Sequence, residues 1–191
     1  MNAHGQLAVA GGDGAARPGR VARKATLRGF DAMDLLAQEH DEIKQLFRDF
    51  DRLLARRGSA ERQAEIVGEV GSMLSIHAQL EEEIFYPAAR WVLGGNEWIN
   101  HAYCDHADVR ALIARLDEME PADSGYAATV ALLRDSVVPH MDDEQDTLFP
   151  RLRLAGLDAA AVGLQMAQRR KALFVDVTRI GLPDAAARVA G

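Results

Sequence analysis

The chain has one cysteine, Cys104, in 191 residues. A single thiol excludes an intrachain disulfide framework and leaves no thiolate cage for structural zinc. Aromatic residues make up 6% of the chain, and there are six prolines, a scarcity that leaves room for long helices. No apolar run approaches the roughly 20 residues that span a bilayer. Residues 1–30 hold no continuous apolar stretch of the signal-peptide kind. These absences predict a cytoplasmic protein with no membrane partner. Positive charge is also short: 22 Lys and Arg stand against 29 Asp and Glu, a net charge of −7. Arg17, Arg20, Arg23, Lys24 and Arg28 against Asp13 give residues 1–30 a balance of +4, which leaves −11 on the rest. An acidic body of that kind argues against nucleic acid as a partner.

Hydrophobic residues are 48% of the chain, enough for one domain with a real core. Residues 1–29, rich in Gly and Ala and without apolar periodicity, read as a flexible basic arm. Residues 30–178 read as one helical domain, and 179–191 as a tail. Apolar residues recurring at three and four predict a helix from about Asp31 or Asp34 to Arg56, with Met33, Leu36, His40, Ile43, Phe47, Phe50 and Leu54 inward. Ser59 caps a second helix, about Ala60 to Leu93, in which Pro87 should bend or end the straight part. Asn96 caps a third, to about Glu120, and a fourth runs from Tyr126 to Phe149 with a kink expected at Pro139. A fifth, about Ala159 to Val177, should pack outside. The expectation is an all-α fold, an up-down-up-down antiparallel four-helix bundle with an additional C-terminal helix.

The strongest pattern is a repeat. His140 and Glu144 lie four residues apart, about 40° from one another around a helix, so both project from one face. His77 and Glu81 repeat that spacing, and Tyr86-Pro87 and Phe149-Pro150 follow the two Glu residues at the same distance. Upstream, Glu39-His40-Asp41-Glu42-Ile43-Lys44 aligns with Asp105-His106-Ala107-Asp108-Val109-Arg110. Each half thus supplies one lone His and one His-x3-Glu. In a bundle, His40, His77, His106 and His140 with Glu81 and Glu144 point at one axis. Six such groups buried without compensation would cost several kcal/mol per unpaired charge. Two metal ions are their natural content, and imidazole with carboxylate suits iron. Glu82, Glu83, Asp142 and Asp143 read as solvated helix face, with a supporting place behind a ligand left open for one of them, and Cys104 as an ordinary thiol.

The pattern over roughly residues 30–175 resembles the hemerythrin-like family, the HHE cation-binding domain. The resemblance implies a non-haem di-iron centre that meets dioxygen or related small molecules, with the four His as terminal ligands and Glu81 and Glu144 as bridges. The ferritin-like di-iron family, which uses Glu-x-x-His, is a poorer match. The oxygen-carrying hemerythrins have a further His four residues before the third ligand, where this chain has Ala102. That departure counts against reversible oxygen carriage. His101 reads as exposed, and Tyr103 as a packing residue near the site face, with closure of an open coordination position or a hydrogen bond there left open for it. The hemerythrin-like iron–sulfur repair proteins, which the chain also resembles, carry a Cys-rich N-terminal segment that is missing here. The expectation is therefore a di-iron protein that binds or senses dioxygen, nitric oxide or peroxide, its ligand a diatomic molecule or a peroxide. Turnover of peroxide, and storage or delivery of iron, stay open beside it, and no feature of the pattern sets an oligomeric state.

Overall fold

A computed structural model describes residues 31–95 and 97–180, with side chains followed to Leu173. The expected arm, most of the tail and the Asn96 cap lie outside the described residues. Within them the chain forms five helices and no strand. Helix α1 is Ala32–Ala55, opened by Asp31, whose carboxylate accepts from the backbone N–H groups of Met33 and Asp34. Helix α2 covers residues 60–93; Ser59 caps its start, and Gly94, at φ 69°, takes the left-handed conformation that ends it. Helix α3 is Glu97–Asp117 and α4 covers 126–154, five residues beyond the expected end at Phe149. Helix α5 is Ala159–Ile180.

Neither α2 nor α4 breaks at its prolines. Each widens into a five-residue π turn, Glu81–Phe85 and Glu144–Leu148, and then resumes. The Tyr86 N–H reaches back five residues to the Glu81 carbonyl, and the Phe149 N–H reaches the Glu144 carbonyl in the same way. Pro87 and Pro150 follow immediately and have no N–H to give, so a wider turn accommodates them without ending the helix. The bend expected from Pro87 is therefore a π turn just before it. At Pro139 the chain stays α-helical, and the departure from α-helical bonding lies downstream at Glu144.

Helix α1 packs along α2 and α3 along α4; α1–α4 and α2–α3 contacts join the two pairs. The core is in two parts. One holds Met33, Leu36, Leu80, Phe85, Ala102, Leu148 and Leu152; the other holds Ile43, Phe47, Leu74, Val109, Leu133, Val137 and Met141. Between them lie His40, His77, Glu81, His106 and Glu144, all buried. The order in which the chain meets the two parts reverses from each of α1–α4 to the next. Helix α5 lies against α1 and α2, and Val162, Met166 and Leu173 add to the first part. Of the inward face expected for α1, only Leu54 turns out to be exposed.

Adjacent residues of α4 test this packing. Leu133 is 1% exposed and Leu132 53%. Leu133→Ala should lower unfolding stability by about 2–5 kcal/mol, and Leu132→Ala by less than about 0.5. Urea denaturation midpoints measure both, and equal losses would show the face to be wrongly placed.

Candidate metal centre

Each helix of the bundle brings its part of the site from a fixed register. Four imidazoles turn their Nε2 atoms inward and their Nδ1 atoms outward. His40 Nε2 and His77 Nε2 are 3.2 Å apart, as are His106 Nε2 and His140 Nε2. The two ring pairs meet edge-on alike, at 4.8 and 5.0 Å between centroids and 68° between planes in each. Glu81 lies between the pairs, with Oε1 3.3 Å from His77 Nε2 and Oε2 3.3 Å from His106 Nε2. Glu144 Oε2 is 3.3 Å from His40 Nε2 and 4.0 Å from His140 Nε2. The six residues named from the sequence thus come together as two clusters able to hold a cation. One is His40, His77, Glu81 and Glu144; the other is Glu81, His106 and His140, with Glu81 common to both.

The outward nitrogens are held by a second ring of residues that follows the repeat. His77 Nδ1 pairs with Glu39 at 2.7 Å and His140 Nδ1 with Asp105 at 3.3 Å. Each of those acids directly precedes the lone His of its own half. His106 Nδ1 lies 2.9 Å from Glu82 Oε1 and His40 Nδ1 3.2 Å from Gln145 Oε1. These two directly follow the inner carboxylates, Glu81 and Glu144. A cation four residues after each lone His closes the ring: Arg110 donates to Glu82 Oε1 at 2.7 Å, and Lys44 to Gln145 Oε1 at 3.2 Å. An oxygen acceptor on Nδ1 fixes that proton outward and leaves the Nε2 lone pair facing in, as a ligand must be.

The π turns complete the arrangement. Five residues along an α-helix are about 140° apart, whereas a π turn brings i and i+5 to one face. Tyr86 therefore lies over Glu81, and its ring stacks on His106 at 5.6 Å; Phe149 stacks on His40 at 6.1 Å. The Tyr86 O–H donates to Glu144 Oε1 at 2.9 Å and lies 3.3 Å from both Glu81 Oε2 and His140 Nε2. Trp98 stacks on His140 at 5.8 Å and packs edge-on against Tyr86 at 6.3 Å.

Burial governs the charges. Desolvation, with the neighbouring imidazole His40, pushes His77 down to about 3, and desolvation with His140 takes His106 to about 4. Both are neutral at pH 7. Desolvation and the Glu144 charge raise Glu81 well above the carboxylate range. Burial alone would raise Glu144 as well, but its close approach to His40 and the other imidazoles around it bring it to about 2. Burial and the two carboxylates keep the Tyr86 phenol protonated.

Tyr86 and Glu82 have roles that the sequence reading did not single out, and the other residues it discussed around the site behave as expected. Tyr86 reaches the centre, whereas Tyr103 donates to the Glu82 backbone carbonyl at 3.2 Å and packs edge-on against Tyr86. Glu82 is half-buried and holds His106, while Glu83 and Asp142 are surface partners of Arg169 and Lys44. Asp143, His101 and Cys104 are exposed. Val109 and Val137 line a cavity of about 20 Å³ beside His77, His106 and His140. Met73 faces a surface cavity next to Glu39.

Comparison with known proteins agrees with the arrangement. The sequence model of one protein family, Hemerythrin HHE cation binding domain, matches residues 31–163. Among solved structures, a hemerythrin HHE cation binding domain-containing protein from Mycobacterium kansasii superposes with a TM-score of 0.65 at 21% identity. The match covers 78% of this chain and 90% of that one. A DNA nickase from Nostoc sp. (strain PCC 7120 / SAG 25.82 / UTEX 2576) is 24% identical over 133 residues. That is 70% of this chain but only 36% of the nickase, so the chain spans little more than a third of its length.

The neutral imidazoles make the stability of the metal-free chain depend on pH. Unfolded His takes up a proton near 6.5, whereas folded His77 and His106 do so only near 3 and 4. Below pH 6.5 the unfolded chain binds more protons, so stability falls as pH falls, by about 1.4 kcal/mol per unit for each imidazole. Glu81, with its raised value, acts in the opposite sense above about pH 4.5, and two imidazoles outweigh one carboxylate. Urea midpoints at pH 6.5 and 5 should therefore decrease together with pH. A flat profile would contradict neutral His77 and His106.

Proposed function

We propose, for a chain that belongs to the hemerythrin HHE cation-binding domain family, that the buried layer holds two iron ions and binds or senses dioxygen, nitric oxide or peroxide. The observation that carries this reading is the placement of Glu81, whose two oxygens each lie 3.3 Å from an imidazole nitrogen of a different pair. One carboxylate facing two separate donor sets suits a bridge between two cations. The residues also fit a metal on their own terms. Glu81 Oε1 and Glu144 Oε2 are buried and have no hydrogen-bond donor, a costly state unless a cation meets them. Imidazole and carboxylate without thiolate favour iron over structural zinc. The reversal of core order along α1–α4 supports the up-down-up-down arrangement that this site needs.

In this reading His40 and His77 would hold one ion and His106 and His140 the other, with Glu81 and Glu144 as the carboxylates available to both. The bound iron would supply the electrons and the open coordination for a small oxidant. The chain's own part is to keep the Nε2 lone pairs aimed inward, to exclude bulk water, and to leave room beside the imidazoles. The cavity of about 20 Å³ lined by Leu74, Ala78, Val109, Val137 and Met141 is of the size for one small molecule. The net charge of −11 outside residues 1–30 supports a small-molecule partner over nucleic acid. DNA nicking belongs to a relative of which this chain spans 36%.

Tyr86 favours a second reading, turnover of peroxide. Its phenol is a protonated donor 2.9 Å from Glu144 and 3.3 Å from His140 Nε2, positioned to supply a proton to a leaving oxygen.

Anaerobic iron loading tests the first reading. Two irons per chain are expected in the wild type, about one in His140→Ala, and a loss at both positions in Glu81→Ala. Unchanged iron in both variants, or firm binding of one zinc alone, would sink it. Adding dioxygen and then peroxide to the loaded protein separates the readings. Reversible optical bands support a binder. Peroxide consumption that drops about 10- to 100-fold in Tyr86→Phe, with iron content unchanged, supports the enzyme.

A further inference from the structure

The repeat predicts that the two halves of the site should be alike, and the acids behind His77 and His140 are not. Glu39 and Asp105 occupy equivalent positions, each on the outward nitrogen of a ligand His. Glu39 has a side chain only 8% exposed, and its other oxygen meets the guanidinium of Arg170 on α5. Asp105 has a side chain 51% exposed and lies 3.3 Å from its imidazole, against 2.7 Å for Glu39. Helix α5 lies outside the two repeated helix pairs and packs against α1 and α2.

From this we infer that Arg170 is a positioning residue that acts through Glu39 to fix His77, so that the cation position built on His40 and His77 is preorganised and binds more tightly than the one built on His106 and His140. The inference rests on the two-ion reading above. A carboxylate with one oxygen on an imidazole N–H and the other on a guanidinium has a single orientation left to it. His77 is then held with its proton on Nδ1 and its lone pair inward. Asp105, half in water, exchanges partners freely and constrains His140 less. Arg170 also stands at a surface cavity of about 360 Å³ that Glu39, Glu42, Glu69 and Met73 line with it. Shortening Arg170 gives Glu39 to the water of that cavity. Outer partners of ligand His residues are worth about 10- to 100-fold in metal affinity. The planar fork of Arg suits a carboxylate better than the point charge of Lys.

The neighbouring residue supplies a control. Arg169 donates to Glu83 at 2.6 and 3.0 Å, which links α5 to α2 where the Arg170–Glu39 contact links α5 to α1. The experiment titrates the metal-free full chain with cobalt(II), whose absorption reports each position, in wild type, Arg170→Ala, Arg170→Lys and Arg169→Ala. In parallel, nitrogen NMR at pH 7 reads the tautomers of His77 and His140 without metal. Arg170→Ala should weaken the tighter of two binding steps about 10-fold and leave the other. It should also turn His77 from a single Nδ1–H form into a mixture. Arg170→Lys should recover part of both effects, and Arg169→Ala should match wild type. Equal weakening of both steps, an unchanged Arg170→Ala, or the same loss in Arg169→Ala would overturn the inference. A wild-type chain that takes up fewer than two cobalt ions overturns the two-ion reading instead. The His77 tautomer then decides the role of Arg170 by itself.

Discussion

Two carboxylates and four imidazoles buried in one layer set the terms for the residues around them. Removing a carboxylate from water costs several kcal/mol even after the surroundings relax, and two of them close together also repel one another. The layer meets this in three ways. His77 and His106 stay neutral, so they add no charge of their own. The carboxylates titrate apart, Glu81 upward and Glu144 downward, so that both need not be charged together. The outward nitrogens are tied to acceptors, and Lys44, Arg110 and Arg170 in turn reach those acceptors. Charge thus alternates outward from the axis, from acceptor to donor and back.

The same layer divides the core. An apolar bundle of this length would be stitched by Leu and Ile throughout, but here two apolar clusters meet across a polar floor. The aromatic rings mediate between them. Tyr86 and Phe149 present flat faces to His106 and His40, and Trp98 does so for His140. Imidazole tolerates such neighbours because its body is apolar while its nitrogens lie in the ring plane, free for partners at the edge. Packing and ligation therefore use different parts of one side chain.

The helices and the six central residues were legible in the sequence because both obey the α-helical period. His-x3-Glu reads as one face, and the apolar residues that flank it read as the same face. The partners of the outward nitrogens were half legible. Glu39 and Asp105 were visible as repeated acids, but an acid beside a His on a helix points elsewhere by about 100°, and only the neighbouring helix shows what it meets. Tyr86 was hidden by a geometric rule that fails locally. At α-helical pitch it faces away from Glu81, and the π turn that returns it follows from a proline that ordinarily signals a bend. Arg170 had no signal at all, since α5 has no counterpart in the repeat and its register against α1 is a property of the packed chain.

The repetition has a further consequence. A helix hairpin of half this length, paired with a second copy of itself about a twofold axis, would assemble the same six inner groups and the same outer ring. Such a dimer would be bound by its symmetry: any change at one end appears at the other. Joined in one chain, the halves vary independently. Phenol against phenyl at Tyr86 and Phe149, acid against amide at Glu82 and Gln145, and a fifth helix laid on one side only are differences that two identical copies could not hold. Fusion of the hairpins allows the two ends of one centre to do unequal work.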